Sequence, residues 1–253
     1  MLSKNQIKLI NALKNKKGRQ QHKLFIVEGE KMTEELLSSN FKVHGIYALG
    51  SWINENSNNV SGLNNVVEVA EDELKKVSLQ TNPNKVLCLA RIPDNIDEIN
   101  EKEPVIALED IRDPGNLGTI IRTADWFGIK QIVCSPNSVD VFNPKVVQST
   151  MGAVFRVKVR YIEFEEFLHS SQQKKYGAFL GGENIYSTTL ADDGVYVFGN
   201  ESLGISKETE MHVDKKITIP HCNSKSESLN LSTSVAIFCS ELRRELIRNE
   251  MKS

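Results

Sequence analysis

Three stretches of this 253-residue chain gather residue types that do chemistry. The first, "DPGNLGTIIRTADWFGIKQIV" (113–133), sets Gly115 and Gly118 between an apolar run, Val105 to Leu108, and a helical pattern. That is the layout of a nucleotide-binding turn. It has neither G-x-G-x-x-G nor G-K-[ST], so the dinucleotide and P-loop readings both fail. Asn116 is placed to cap the helix, and Gly118 lets the backbone turn tightly. Arg122 then projects near the same strand end, either as an ion-pair partner or as a cation for a ligand. The second stretch, "VFGNESLGIS" (197–206), holds Glu201 between Gly199 and Gly204, as a plain turn or as a functional carboxylate. The third, "IPHCNSKSESLNLSTSVAIFCSE" (219–241), runs through Ser228, Asn230 and Ser232 into a helix. One cap needs one such residue, and this segment supplies several. His221-Cys222 has no further ligand cluster beside it, so no metal is expected.

Short apolar strands must carry these loops. "VIALED", "QIVCS", "VFRVKVRY", "YGAFLGG", "VYVFG" and "KITIP" alternate with helical patterns, one from Thr119, one near Lys145 and one near Glu165. A last helix carries Leu231, Val235, Phe238, Leu242 and Leu246 as one apolar stripe. Strand–helix alternation without a hairpin signal predicts a largely parallel sheet, and ligands in such sheets bind at the carboxyl ends of strands. The N-terminal part predicts a smaller α/β unit. It has an amphipathic helix through Ile7, Ile10 and Leu13, strands at 24–29 and 43–50, a helix at 30–39 and a loop-like "WINENSNNVSGLNN". "VVEVA", "EDELKKVS" and "KVLCLAR" follow as strand, helix and strand. The polar, acidic "IPDNIDEINEKEP" (92–104), with a proline near each end, reads as the linker. Expected domains are therefore 1–91 and 105–253.

No run reaches the roughly 18 apolar residues of a membrane span, and the N-terminus lacks the apolar core of a secretory signal. Cys88, Cys134, Cys222 and Cys239 form no C-x-x-C pair, which fits reduced thiols in a cytoplasmic protein. The formal net charge of -2 hides an uneven distribution. Up to residue 31 the acids are Glu28 and Glu30, against Lys4, Lys8, Lys14, Lys16, Lys17, Arg19, Lys23 and Lys31. Such an end either contacts a polyanion or is a solvated helix terminus.

Taken in order, N-x-G-x-x-x-R, G-N-E-x-x-G and I-P…S-L-N-x-S resemble the SpoU (TrmH-type) branch of the SPOUT RNA methyltransferases. The likeness covers roughly 105–245 and includes "NPKVVQSTMGAVFRV" (143–157). The segment "KNKKGRQQHKLFIVEGEKMTEELL" resembles the small substrate-binding domain that often precedes that catalytic domain. The resemblance implies an α/β-knot, a trefoil-knotted, mostly parallel sheet that pairs as a homodimer. It implies methyl transfer from S-adenosylmethionine to a ribose 2′-hydroxyl of structured RNA, ribosomal RNA above all. By position it assigns catalysis and substrate orientation to Asn116, Arg122, Glu201, Ser228 and Asn230. The same carry-over assigns the cofactor to Gly199, Ile219 and Leu229.

Within that reading Lys14, Lys16, Lys17, Arg19 and Lys23 become candidates for RNA phosphate, giving affinity without reading sequence. Two departures stand out. The third loop lacks the glycine usual before Ser-Leu-Asn, and Gln148 sits where a basic residue is more usual. A tRNA 2′-O-methyltransferase, or a non-catalytic RNA-binding protein on the same fold, are the alternatives.

Overall fold

The computed structural model describes residues 1–80, 84–94, 98–222 and 227–250. Residues 95–97 of the expected linker, and 223–226 of the third loop, lie outside them. The chain forms two units, Met1–Asn95 with Asp140–Phe155, and Ile96–Val139 with Arg156–Ser253.

The first unit is built on four strands: β1 (Leu24–Glu28), β2 (Val43–Ala48), β3 (Val66–Glu68) and β4 (Val86–Arg91). Their order is β1-β4-β2-β3. β4 runs antiparallel to β1 and β2, whereas β2 and β3 are parallel. β1 is buried along its whole length, and a strand's period of two sends alternate residues to opposite faces. Leu24 and Ile26 enter a core with Ile10, Leu13, Leu87 and Leu89. Phe25 instead meets Phe142 at 4.6 Å and Phe41 at 6.0 Å between ring centroids. The second face is thus covered by the 140–155 segment, whose short helix Pro144–Ser149 packs on β1. The "WINENSNNVSGLNN" stretch is not all loop, because helices form at Gly50–Glu55 and Ser57–Val60, with Trp52 and Val60 buried as their anchors.

Arg19 is a correction. Far from reaching RNA, it is 2% exposed and buried in this unit. Its Nε and Nη2 donate to Asp140 Oδ2 at 2.9 and 2.7 Å, and its Nη1 donates to the Leu13 and Lys14 carbonyls. Four of its five N–H donors are occupied and the group is buried, so it does not face a phosphate in solvent. Gly18 beside it is equally constrained, since a Cβ there would lie 2.0 Å from the Ala12 carbonyl oxygen.

The second unit has the expected parallel sheet. Its strands are β5 (Val105–Leu108), β6 (Gln131–Cys134), β7 (Lys158–Tyr161), β8 (Lys175–Asn184), β9 (Val195–Phe198) and β10 (Lys215–Thr218). They lie in the order β10-β8-β9-β5-β6-β7, every pair parallel. Val105, Ala107, Val133, Val195 and Val197 form one core with Phe164, Phe167 and Leu168 of the helix Phe164–Ser170. The "VFRVKVRY" reading shortens to β7, because Ala153–Phe155 is a 3-10 turn. The final apolar stripe also divides: Leu231–Leu242 buries Val235, Phe238 and Leu242, while Leu246 on the next helix is exposed. Among the described residues no helix is long and apolar enough to cross a membrane.

Replacing Arg19 with alanine leaves Asp140 without its cation, and the expected cost is about 3 kcal/mol or more in urea unfolding. Arg19→Lys, which cannot make the same fork of contacts, should recover little of it.

Candidate active site

All six strands of the second unit point the same way, so the three loops leave its sheet at one edge. β5 and β9 are neighbours, which places the first and second loops side by side. The helix after β5 begins at Pro114, not at Thr119, and runs to Trp126. Proline suits the first helical position because the missing N–H has no partner there. Asp113, not Asn116, is the cap, accepting from the Asn116 amide at 2.7 Å. Asn116 is therefore held inside the first turn with its side chain free to reach sideways.

It reaches two other loops. Asn116 Nδ2 donates to Glu201 Oε1 at 3.2 Å. Asn116 Oδ1 accepts from Asn230 Nδ2 at 3.0 Å. Glu201 also accepts the backbone N–H groups of Arg112 (3.4 Å) and Asp113 (3.2 Å). The carboxylate thus serves orphan backbone donors of the first loop, which explains a purpose that its sequence context does not show. Asn230 is the N-cap of Leu231–Leu242, its Oδ1 accepting from the Ser232 and Thr233 amides. One asparagine does both tasks.

The bends beneath this network are set by close packing. A Cβ on Gly199 would sit 2.0 Å from the Gly204 carbonyl carbon, so only glycine fits. Asn200 and Gly204 exchange backbone hydrogen bonds of 2.9 Å across the turn. Asn200 Nδ2 binds the Asp110 carbonyl at 2.8 Å. Asp110 itself has φ of 51 degrees, and Ser135 pins it by accepting its N–H and donating to its carboxylate, both at 2.7 Å. Glu109 accepts from the Ser206 amide and from the Ser206 and Thr209 hydroxyls. Glu109, Asp110 and Asp113 were missed in the sequence; the signal available was three carboxylates clustered at the end of one apolar strand.

A cavity of about 680 Å³ opens beside Asn230. Ser228, Leu229 and Asn230 line it, with Ile219, Cys222 and Phe238. Its far wall, Ala178 to Leu180, arises from a break in β8. Gly177 pairs with Lys216 and Glu183 with Ile217, so residues 178–182 swing out of the ladder. Gly182 brings the chain back against Lys216, where a Cβ would lie 2.5 Å from its carbonyl oxygen. The Thr218 hydroxyl ties the excursion down by donating to the Leu180 carbonyl at 3.1 Å. Gly199 is not among the cavity's lining residues, so its part is in the turn and not in direct lining.

Arg122 stands apart from the network. It is exposed, and its side chain makes no hydrogen bond or ion pair to any described residue. It lies six residues past Asn116, about 9 Å further along the helix axis. The ion-pair reading of this residue therefore finds no partner. In the first unit Lys16, Lys17 and Lys23 are exposed and Lys14 half-buried. Among the described residues no group of three His, Cys, Asp or Glu could hold a metal ion. The four cysteines are free; burial pushes the Cys88 and Cys239 thiols up to about 12, and only Cys222 is exposed.

Comparison with known proteins agrees with this geometry. Residues 103–240 match the SpoU rRNA Methylase family, and residues 4–88 match the MRM3-like substrate binding domain. The chain is 27% identical over 249 residues to the Bacillus subtilis 23S rRNA (guanosine(2553)-2'-O)-methyltransferase RlmP, covering 95% of this chain and 97% of that protein. It is 29% identical over 167 residues to the Neisseria meningitidis 23S rRNA (guanosine-2'-O-)-methyltransferase RlmB, covering 63% of this chain and 66% of that protein. Among solved structures, a TrmH-family protein from Porphyromonas gingivalis superposes with a TM-score of 0.86 at 34% identity, over 97% of this chain and 99% of that one. An AdoMet-bound rRNA methyltransferase from Sinorhizobium meliloti gives 0.86 at 27% identity, over 97% of both chains.

Gly199→Ala should cost about 2 kcal/mol, read by thermal or urea unfolding, because backbone atoms of Gly204 and Ile205 occupy the space.

Proposed function

The chain belongs to the SpoU rRNA methylase family, and from that premise we propose that it methylates a ribose 2′-hydroxyl of ribosomal RNA, with S-adenosylmethionine as donor. One observation carries the reading: the Glu201–Asn116–Asn230 chain of hydrogen bonds closes three loops at the edge of the 680 Å³ cavity. The cavity suits the donor. Phe179, Leu180, Ile219, Leu229 and Phe238 give apolar walls, and backbone from 219–222 and 227–230 supplies the few polar groups such sites use. We assign Ile219 and Leu229 to cofactor contact and Gly199 to shaping the turn behind it.

S-adenosylmethionine brings an activated sulfonium methyl, so the protein's task is alignment and charge. Asn116 is fixed at both ends, and each of Asn116 and Asn230 keeps a second N–H for substrate. With Ser228 on the cavity lining, they are assigned to orienting the ribose. Glu201 acts mainly by holding Asn116 and the first loop. Arg122 has no partner to satisfy, and its guanidinium stays protonated, so it makes a poor base. Its role is to sit by an RNA phosphate and ease ionisation of the adjacent 2′-hydroxyl. The oxygen takes the methyl as its C–S bond breaks, S-adenosylhomocysteine leaves, and the hydroxyl proton passes to solvent.

We assign 1–91 to RNA contact, with Lys14, Lys16, Lys17 and Lys23, 92–104 to the linker and 105–253 to methyl transfer, except that residues 140–155 fold into the first unit. A homodimer fits the second unit's exposed apolar residues, Trp126 and Leu203 at 85% and 89%. We place the protein in the cytoplasm, with its substrate.

The test is transfer of labelled methyl to RNA from cells lacking this chain, digested to nucleosides. Label should appear as a 2′-O-methyl nucleoside in the ribosomal fraction, and light scattering should give twice the chain mass. Arg122→Ala should lower turnover about a hundredfold or more while leaving cofactor affinity unchanged. Label confined to tRNA would overturn the ribosomal assignment. Neither label nor cofactor binding would leave a non-catalytic RNA-binding protein.

A further inference from the structure

Two sequence features take no part in the site above: the basic run that begins at Lys14, and the "NPKVVQSTMGA" stretch from Asn143. In the first unit they line the same groove. It holds about 430 Å³, with Lys14, Glu28, Gln80, Asn143, Lys145 and Gln148 contributing its polar groups. Leu79, itself 44% exposed, and Pro144 contribute apolar surface.

Glu28 is the unusual member. It is 6% exposed, and a buried carboxylate is costly unless it is hydrogen-bonded and paired. Its partners are the Ser78 hydroxyl, on Oε1, and the Leu79 backbone N–H, on Oε2 at 3.1 Å. Both are neutral donors, and no cation pairs with it among the described residues. Each oxygen therefore keeps acceptor capacity, and the groove is also lined by two lysines. Lys14 and Lys145 have no acidic partner among the described residues either.

We propose that this groove binds one unstacked nucleotide of the RNA substrate, away from the methylated one, and selects guanine. Lys14 and Lys145 take its phosphates. The Glu28 carboxylate, an acceptor only, takes the adjacent N1–H and N2–H of the guanine Watson–Crick edge. Uracil presents a single N3–H between two carbonyl oxygens, so it gives one donor where guanine gives two, and the carboxylate repels the flanking oxygens. Leu79 and Pro144 pack on the base, in the manner of proteins that read splayed single-stranded bases. The inference rests on the RNA reading of the preceding section, but it concerns a separate site.

The experiment is fluorescence anisotropy with eight-nucleotide RNAs and the full chain: all uridine, one central guanosine, or one central inosine, which lacks the N2 amino group. The guanosine oligomer should bind about tenfold tighter than the uridine one, with inosine between. Glu28→Gln should abolish the preference, weakening guanosine binding and relieving the repulsion of uridine. Lys145→Glu, on the exposed rim and harmless to folding, should weaken every oligomer, and Lys145→Ala should reduce the salt slope by about 1. Equal affinity of the unmodified chain for guanosine and uridine oligomers overturns the proposal, as does an unchanged preference in folded Glu28→Gln. Binding of S-adenosylmethionine to the same samples separates the two readings. Cofactor bound without guanosine preference sinks the groove alone, whereas guanosine preference without cofactor binding supports the groove and counts against the methyltransferase reading.

Discussion

A single carboxylate, Glu201, receives three N–H groups from another loop: the backbone amides of Arg112 and Asp113 and the side-chain amide of Asn116. Each contact is at the long end for a hydrogen bond, and each alone is modest. Their common acceptor is what matters. Charge-assisted bonds that converge on one group fix the first loop against the second, and Asn116 passes the constraint to Asn230 in the third. A methyl donor that is already activated asks little of an enzyme except geometry, and rigid geometry is what such a bracket supplies.

The bracket works because β5 is central. It pairs with β6 on one side and β9 on the other, and it is fully buried. The two residues that follow it act as staples in opposite directions. Glu109 holds the helix start at Ser206, and Asp110 is held by Ser135 while its carbonyl accepts from Asn200. Asp110 tolerates its left-handed backbone because aspartate pays less for that region than most residues do. The cavity has a different origin, a five-residue departure of β8 from its neighbour, closed again by Gly182.

The parallel sheet was legible because its strands are short apolar runs separated by helical periods, a local pattern. The three loops were legible as an ordered set, although no one of them was decisive alone. What was not legible depends on distant partners. Arg19 sits among lysines in the sequence, yet its acceptor is Asp140, 121 residues away. The 140–155 segment reads as part of the second domain but covers the Phe25 face of β1 in the first unit. The helix start at Pro114 was hidden because Pro-Gly-Asn reads equally well as a turn, and only Asp113 accepting from Asn116 decides it. Glu201 reads in the sequence as either a plain turn residue or a functional carboxylate, and its partners lie 85 to 89 residues away.

The claim most open to direct test is that Asn116 and Glu201 act as one unit. A double-mutant cycle on kcat/KM for methyl transfer to ribosomal RNA, using Asn116→Ala, Glu201→Ala and the pair, measures that coupling. An interaction free energy of about 1 kcal/mol or more is the predicted result. Effects that add to within about 0.3 kcal/mol would contradict it, and would mean that the three loops do not work as one site.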